Sequence, residues 1–324
     1  MKIKLITKKI KSASTRDGYG KGLVEIGRKN EKVVVLSADL KDSTRCKGFA
    51  EEFPERFVQV GVAEQNMAGL AAGMAMQGYI PFISSFAVFS PGRNWDQIRS
   101  SICYPNLNVK ICSTHAGIST GQDGATHQSL EDIALTRVLP NMIVISPCDA
   151  IEAKKATIAI GKHYGPSYLR LSRNESQIIT SEKDKFEIGK ANVLLRGNCA
   201  TIIACGTLLH EAIQAAKILS QKHKIKPEVI NCHTIKPLDI DTIARSAEKT
   251  GFVVCIEEHQ ASCGLGSAIA EALAVRCPVP IRFVGMPDCF GESGNPEELL
   301  EKYGMTREKI VSSVLDVLKH GDNF

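Results

Sequence analysis

Residues 33–39 read VVVLSAD, residues 63–78 read AEQNMAGLAAGMAMQG and residues 79–86 read YIPFISSF. The outer two are short apolar runs of strand length, and the Ala-, Met- and Gly-rich segment between them has the composition of a tightly packed, buried helix. Strand, helix, strand is the unit from which parallel sheets are built. Outward from this core, RFVQVGV, VKICST (109–114), MIVISP and SYLRLS (167–172) read as further strands, with helices expected at about 90–103, 129–138 and 149–162. At SRNESQIITSEKDKFEIG polar and charged residues replace the apolar periodicity, which predicts an interdomain linker and a boundary near residue 186. The alternation then restarts with TIIACG, a helix over about 207–223, the strand PEVINCHTI, a helix near 239–249, FVVCIEE, the helix GLGSAIAEALAV and the strand IRFVGMP. Two helices close the chain, PEELLEKY and TREKIVSSVLDVLKH, the second with an apolar stripe at Ile310, Val314, Leu315 and Leu318. The expected architecture is α/β, with two domains (1–186 and 187–324) that each hold a mainly parallel sheet flanked by helices.

A chain of 324 residues, 44% hydrophobic and 23% charged, is long enough for two cores and has the balance of a globular protein. The net charge of +5 is small, and the basic residues are scattered among acids, which argues against a nucleic-acid footprint. Eleven cysteines occur without a CxxC pair and mostly inside apolar runs such as VVCIEE, so they read as reduced core residues. Lysines interrupt the opening MKIKLITKKIKSASTR, against a signal peptide, and no later run has the length and apolarity of a bilayer span. The expectation is a cytoplasmic protein that binds neither membrane nor nucleic acid.

Two places carry candidate chemistry. The loop HAGISTGQDGATHQ, after the strand VKICST, gathers His115, Asp123 and His127 among glycines, at the sheet edge where open α/β folds bind ligands. His115 and His127 lack helical spacing and a completing ligand, which argues against a metal site. GLGSAI at 264–269 lacks the third glycine of a dinucleotide fingerprint and reads as helix packing. Glu64 opens the helix after RFVQVGV with no basic residue among its immediate sequence neighbours. Position alone gives it the role of a first-turn carboxylate that favours the helix dipole.

Together SADL (37–40), GVAEQNMAGLAAGMA (61–75), SFAVF (85–89), THAGISTGQDGATHQ (114–128), LPNMIVISPCDAIE (139–152), LRLSRNE (169–175) and EEHQASCGLGSAIAEAL (257–273) resemble the pyrimidine-binding and carboxy-terminal domains of the transketolase family of thiamine-diphosphate enzymes. The resemblance spans nearly the whole chain. It implies that Glu64 hydrogen-bonds the cofactor's pyrimidine ring and promotes loss of the thiazolium C2 proton, a role suited to a carboxyl kept neutral by apolar burial. By the same resemblance Phe86 and Phe89 pack on the pyrimidine, and Asp39 lies close to the cofactor at the domain interface. Gly92 stands where a third aromatic is expected. His127 would assist the reacting carbon, Asp123 would accept a sugar hydroxyl, and Arg16, His115, Arg173 and Ser43 would hold the substrate phosphate.

The family's GDG motif with its downstream asparagine, which anchors magnesium and diphosphate, has no counterpart beyond a GDN at the extreme carboxyl terminus. The resemblance therefore implies a split transketolase, whose separate N-terminal subunit carries that motif and the Mg2+ or another divalent ion. Two copies of each chain are expected, acting on sugar phosphates in the pentose phosphate pathway or a specialised sugar route. A beta subunit of a 2-oxo acid dehydrogenase shares the two-domain plan, but the block GQDGATHQSLEDIALTRVLPNM points to the transketolase and deoxyxylulose-phosphate synthase branch. The synthase is normally one long chain. A non-catalytic binding paralogue is the alternative from another class, and the joint presence of Glu64, Asp123, His127, Arg16, His115 and Arg173 argues against it.

Overall fold

The computed structural model describes residues 11–320, so the lysine-rich opening decapeptide and the terminal GDN lie outside the described residues. The chain enters through β1 (Ser12–Ser14) and α1 (Thr15–Lys29), then runs β2 (Val33–Ser37), α2 (Lys47–Glu52), β3 (Phe57–Gln59), α3 (Glu64–Met76) and β4 (Ile80–Phe86). It continues with α4 (Trp95–Gln97), β5 (Lys110–Thr114), α5 (Asp132–Arg137), β6 (Ile143–Ile145), α6 (Ala150–Lys162), β7 (Ser167–Arg170) and β8 (Glu175–Gln177). Strands β2 to β7 are parallel in the order β6-β7-β5-β4-β2-β3. The sequence reading passed over α1, whose four glycines depress helix propensity. A capping box starts this helix: the Ser14 hydroxyl accepts from the Asp17 N–H, and the Asp17 carboxylate accepts from the Ser14 N–H, each at 3.3 Å.

The second half supplies β9 (Asn192–Leu195), β10 (Thr201–Ala204), α7 (Leu209–Ile218), β11 (Glu228–Asn231), β12 (Thr234–Lys236), α8 (Ile240–Thr250) and β13 (Val253–Gln260). After these come α9 (Leu265–Arg276), β14 (Ile281–Met286), α10 (Pro296–Lys302) and α11 (Arg307–His320). Its sheet has the order β14-β13-β10-β11-β9 and is parallel except for the edge strand β9. Both sheets thus match the mainly parallel, helix-flanked plan. GLGSAI opens α9, and a side chain at Gly266 would meet the Phe283 ring, in keeping with a packing role.

Four local expectations are corrected. PEVINCHTI is two strands, since β11 stays in the second sheet while β12 crosses over and pairs antiparallel with β6 at the edge of the first. The supposed linker contains β8, which pairs antiparallel with β1. The helix expected from residue 90 begins at Trp95 and continues as a wide turn over Ile98–Cys103. Helix α3 is not packed on every side: Met67, Ala68, Ala71 and Ala72 are buried, whereas Leu70 and Met76 are 41% and 72% exposed beside the exposed Gly69 and Gly73. All eleven cysteines are free, and seven are buried, with Cys263 and Cys289 exposed. Among the described residues no helix is long and apolar enough to cross a membrane.

A buried arginine, ion-paired within the first half, reaches across to the second. Arg170, at the end of β7, donates from Nε to Asp132 at 2.7 Å and from Nη2 to the Glu258 carbonyl of β13 at 2.7 Å, and the Tyr168 hydroxyl also donates to Asp132 at 2.7 Å. Burial works to raise the Asp132 carboxyl, but the charge and hydrogen bonds of Arg170 outweigh it and hold the group below its usual range. Removing one member of a buried pair strands the other charge, so Asp132→Ala is expected to reduce unfolding free energy by about 3–5 kcal/mol in a urea titration. A loss below about 1 kcal/mol, the size of an exposed pair, would contradict this account.

Candidate active site

The carboxyl-end edge of the seven-stranded sheet collects most of the residues singled out above. Glu64 is the first residue of α3 and is 1% exposed. Ser85, on β4, donates its hydroxyl to Glu64 Oε1 at 3.1 Å, and Arg93 donates from Nη1 to Oε2 at 3.0 Å. Asn94 fixes the same turn by donating to the Glu64 carbonyl at 3.2 Å. The carboxyl is buried, but its surroundings are polar and include a cation. This corrects the expectation of an unpaired carboxyl in an apolar setting: the chain fold brings Arg93 back over the start of α3.

Beside Glu64, Phe86 and Phe89 form an aromatic wall with ring centroids 6.1 Å apart. His115 stacks on Phe86 at 3.7 Å, His127 meets Phe89 edge-on at 5.4 Å, and the Arg93 guanidinium lies 4.7 Å over the Phe89 ring. Gly92 has a steric reason for its lack of an aromatic side chain, since any Cβ there would sit 2.1 Å from the Val88 carbonyl oxygen. The wall is therefore narrower than the resemblance implied.

Positive charge gathers around His115. Arg16, near the start of α1, donates from Nη1 to the Ser43 carbonyl at 2.9 Å, while its buried Nε has no hydrogen-bond partner among the described residues. Desolvation is the largest influence lowering its affinity for the proton, and the charges of Arg45 and Arg173 add to it. Arg173 donates to the Thr120 carbonyl at 2.9 Å and to Asp123 at 3.1 Å. Burial first, and Arg16 and Arg173 next, push the His115 imidazole down to about 3, so near neutral pH it is an uncharged hydrogen-bonding group. Its Nδ1 lies 2.8 Å from the Thr114 hydroxyl.

His127 is partly exposed, with Nδ1 3.0 Å from the Thr126 hydroxyl, and Asp123 is held at the surface by Arg173. Asp39 follows β2 at the same sheet edge, exposed, with φ 60° and its N–H bonded to Gln59. Arg16 links Ser43 to the cationic group through the Ser43 carbonyl rather than its hydroxyl. The sequence reading missed Arg93 and Ser85 at Glu64, and Arg45 beside Arg16. The run SFAVFSPGR, a cation closely following two ring residues, was the available signal for Arg93.

A buried carboxylate against an aromatic wall suits an aminopyrimidine, which offers both a flat ring and hydrogen-bonding nitrogens. Among the described residues no group of three or more His, Cys, Asp or Glu side chains is arranged to hold a metal ion. Residues 11–177 match the family profile for the transketolase pyrimidine-binding domain, and residues 189–310 match that for the transketolase C-terminal domain. A Methanocaldococcus jannaschii chain described as a transketolase C-terminal section is 46% identical, over 94% of this chain and 96% of its own length. The 6-deoxy-6-sulfo-D-fructose transketolase subunit SqwH of Clostridium sp. is 44% identical, over 93% and 94%. Human transketolase is 35% identical over 93% of this chain but only 48% of its own length. A solved structure described as a split-gene transketolase, inactive beta4 tetramer, superposes with a TM-score of 0.89 at 47% identity, covering 95% of this chain and 99% of the other. The chain belongs to the transketolase family, with the pyrimidine-binding domain followed by the C-terminal domain.

Proposed function

We propose that this chain is the C-terminal subunit of a split, thiamine-diphosphate-dependent transketolase that moves a two-carbon ketol unit from a ketose phosphate to an aldose phosphate. In this reading the units divide near residue 186, and an N-terminal subunit holds the diphosphate and Mg2+, in an assembly with two copies of each chain. The observation that carries the reading is the joining of two features at one sheet edge. A buried Glu64 borders an aromatic wall, and the adjoining cationic group includes an Arg16 Nε without a hydrogen-bond partner among the described residues. Relatives named for a sulfofructose and for apulose-4-phosphate support sugars carrying an anionic group as the substrate class.

When bound, thiamine diphosphate supplies the electron sink that allows the bond beside a ketose carbonyl to break. Glu64 would hydrogen-bond the aminopyrimidine and share a proton with it, with Ser85 fixing one carboxylate oxygen. Phe86 and Phe89 would pack against the pyrimidine ring and exclude water, and Asp39 would approach it from the neighbouring strand end. His127 would donate to the substrate oxygen at the reacting carbon, where charge develops. Arg16 and Arg173 would supply the charge that holds the phosphate, with neutral His115 adding a hydrogen bond and Ser43 closing the site. Asp123, steadied by Arg173, would accept a sugar hydroxyl.

The exposed apolar face of α3, which begins at Glu64, is the kind of surface that another chain covers, and it supports a site completed by assembly. The neighbour described as an inactive beta4 tetramer supports inactivity of this chain alone. Purified chain is expected to show no ketol transfer by itself and to gain thiamine-dependent transfer when mixed with its N-terminal partner. A well-folded complex without such activity would instead favour a binding role.

Glu64→Gln keeps the volume and a hydrogen-bonding amide but cannot pass a proton, so turnover is expected to fall by about 10²–10⁴-fold with an unchanged melting temperature. Near-normal C2 proton exchange on the cofactor in that variant would refute the role. Arg173→Ala removes a charged hydrogen-bond donor and is expected to raise KM for phosphorylated sugars by about tenfold or more, with little change for unphosphorylated ones. Equal effects on both sugars would rule out a phosphate contact.

A further inference from the structure

The segment EEH at 257–259 carries the family resemblance but has no part in the chemistry above. It lies on β13, where successive side chains point to opposite faces of the sheet. Glu257 turns to α9 and accepts from the Leu265 and Gly266 N–H groups at 2.6 and 2.8 Å, which accounts for it as a helix cap. Glu258 turns the other way and leaves its own unit. Its Oε1 accepts from the Ser119 N–H at 2.7 Å, within the loop that joins His115 to Asp123 and His127. Its Oε2 lies 3.5 Å from the Thr207 hydroxyl, and the residue is 4% exposed.

The approach is close because the loop has no side chain at Gly117, where φ is 90° and a Cβ would sit 2.2 Å from Glu258 Oε1. From Ser119 the bonding continues to the substrate residues. The Ser119 carbonyl accepts from Asn174 at 2.5 Å, the Thr120 hydroxyl donates to the His115 carbonyl at 2.7 Å, and the Thr120 carbonyl accepts from Arg173. His115 is held at φ 58°, a left-handed conformation that a non-glycine residue keeps only under constraint from its surroundings.

We propose that Glu258 is a positioning residue for the sugar-phosphate site: from the C-terminal unit, its carboxylate fixes the 117–120 turn and, through Thr120, sets the geometry of His115 and Arg173. The kinetic consequence rests on the transketolase reading, whereas the mechanical one does not. Glu258→Ala leaves the buried Ser119 N–H without an acceptor. Glu258→Gln keeps a carbonyl for Ser119 and offers its amide to Thr207, so it should restore the turn.

Hydrogen exchange on the full-length chain, with and without its partner, tests the mechanical part. The 117–124 peptide of Glu258→Ala should exchange about tenfold faster or more, while the 64–76 peptide stays protected and Glu258→Gln behaves as the unaltered chain. In the assembled enzyme, Glu258→Ala should raise KM for a phosphorylated ketose about tenfold, with kcat and thiamine diphosphate affinity changed by less than about twofold. Unchanged exchange at 117–124 would overturn the proposal, as would equal damage from both variants or a parallel loss of protection at 64–76. If the unaltered complex lacks ketol transfer, the functional reading fails, while the exchange result still decides whether Glu258 holds the turn.

Discussion

The guanidinium of Arg170 is the contact on which the arrangement of the site depends. It is buried, so its charge requires an acid, and Asp132 supplies one from the start of α5, just beyond the loop that carries His115 and His127. Its Nη2, which also donates to Asp132, reaches the Glu258 carbonyl and so ties β13 of the second sheet to the end of β7. A buried cation between a carboxylate and a carbonyl has few acceptable geometries, because losing either acceptor leaves an unmet charge or dipole in a dry interior. Satisfying that one group ties the end of β7, the start of α5 and β13 together beside the loop.

Around this junction the site divides into two functional parts. Glu64 is the first residue of α3 and Phe86 the last of β4, with Phe89 in the turn just beyond, so helix packing and strand register hold the first two directly. His115, Asp123, His127 and Arg173 belong to loops, and loops acquire precision only from the hydrogen bonds that tie them down. On the proposed reading, the cofactor end would thus sit where α3 begins and β4 ends, while the sugar end would sit on a segment held partly by the second half of the chain. On that reading, such a division would let sugar specificity change without disturbing the cofactor chemistry.

Much of the fold was legible because parallel strands buried on both faces give near-continuous apolar runs, as in VVVLS and KICST. The parts that escaped share physical causes. Helix α1 packs against α6 through its glycines, since a Cβ at Gly18 would sit 2.0 Å from the Ala150 carbonyl oxygen, so the residues that weaken the local helix signal are those that tertiary packing requires. Residues 227–235 read as one strand, yet its two ends enter different sheets, which no local period encodes. At the site, the residue types of the HAGISTGQDGATHQ loop and the block at Glu64 were readable. The pairing of Glu64 with Arg93 was not, because it depends on how the turn after β4 folds back. Glu258 was out of reach for a similar reason: its partner Ser119 is distant in sequence, and a strand pattern reports only which face a side chain takes.

The crossing of β12 into the first sheet has a temporal consequence. During synthesis β6 emerges long before residue 236, and until then its outer edge presents unpaired N–H and C=O groups beside the apolar interior of a sheet that is otherwise complete. Such an edge can recruit a strand from another nascent chain. The outer edge of the first sheet is thus closed only by the second half of the chain, so the two halves must be made before the first is fully paired.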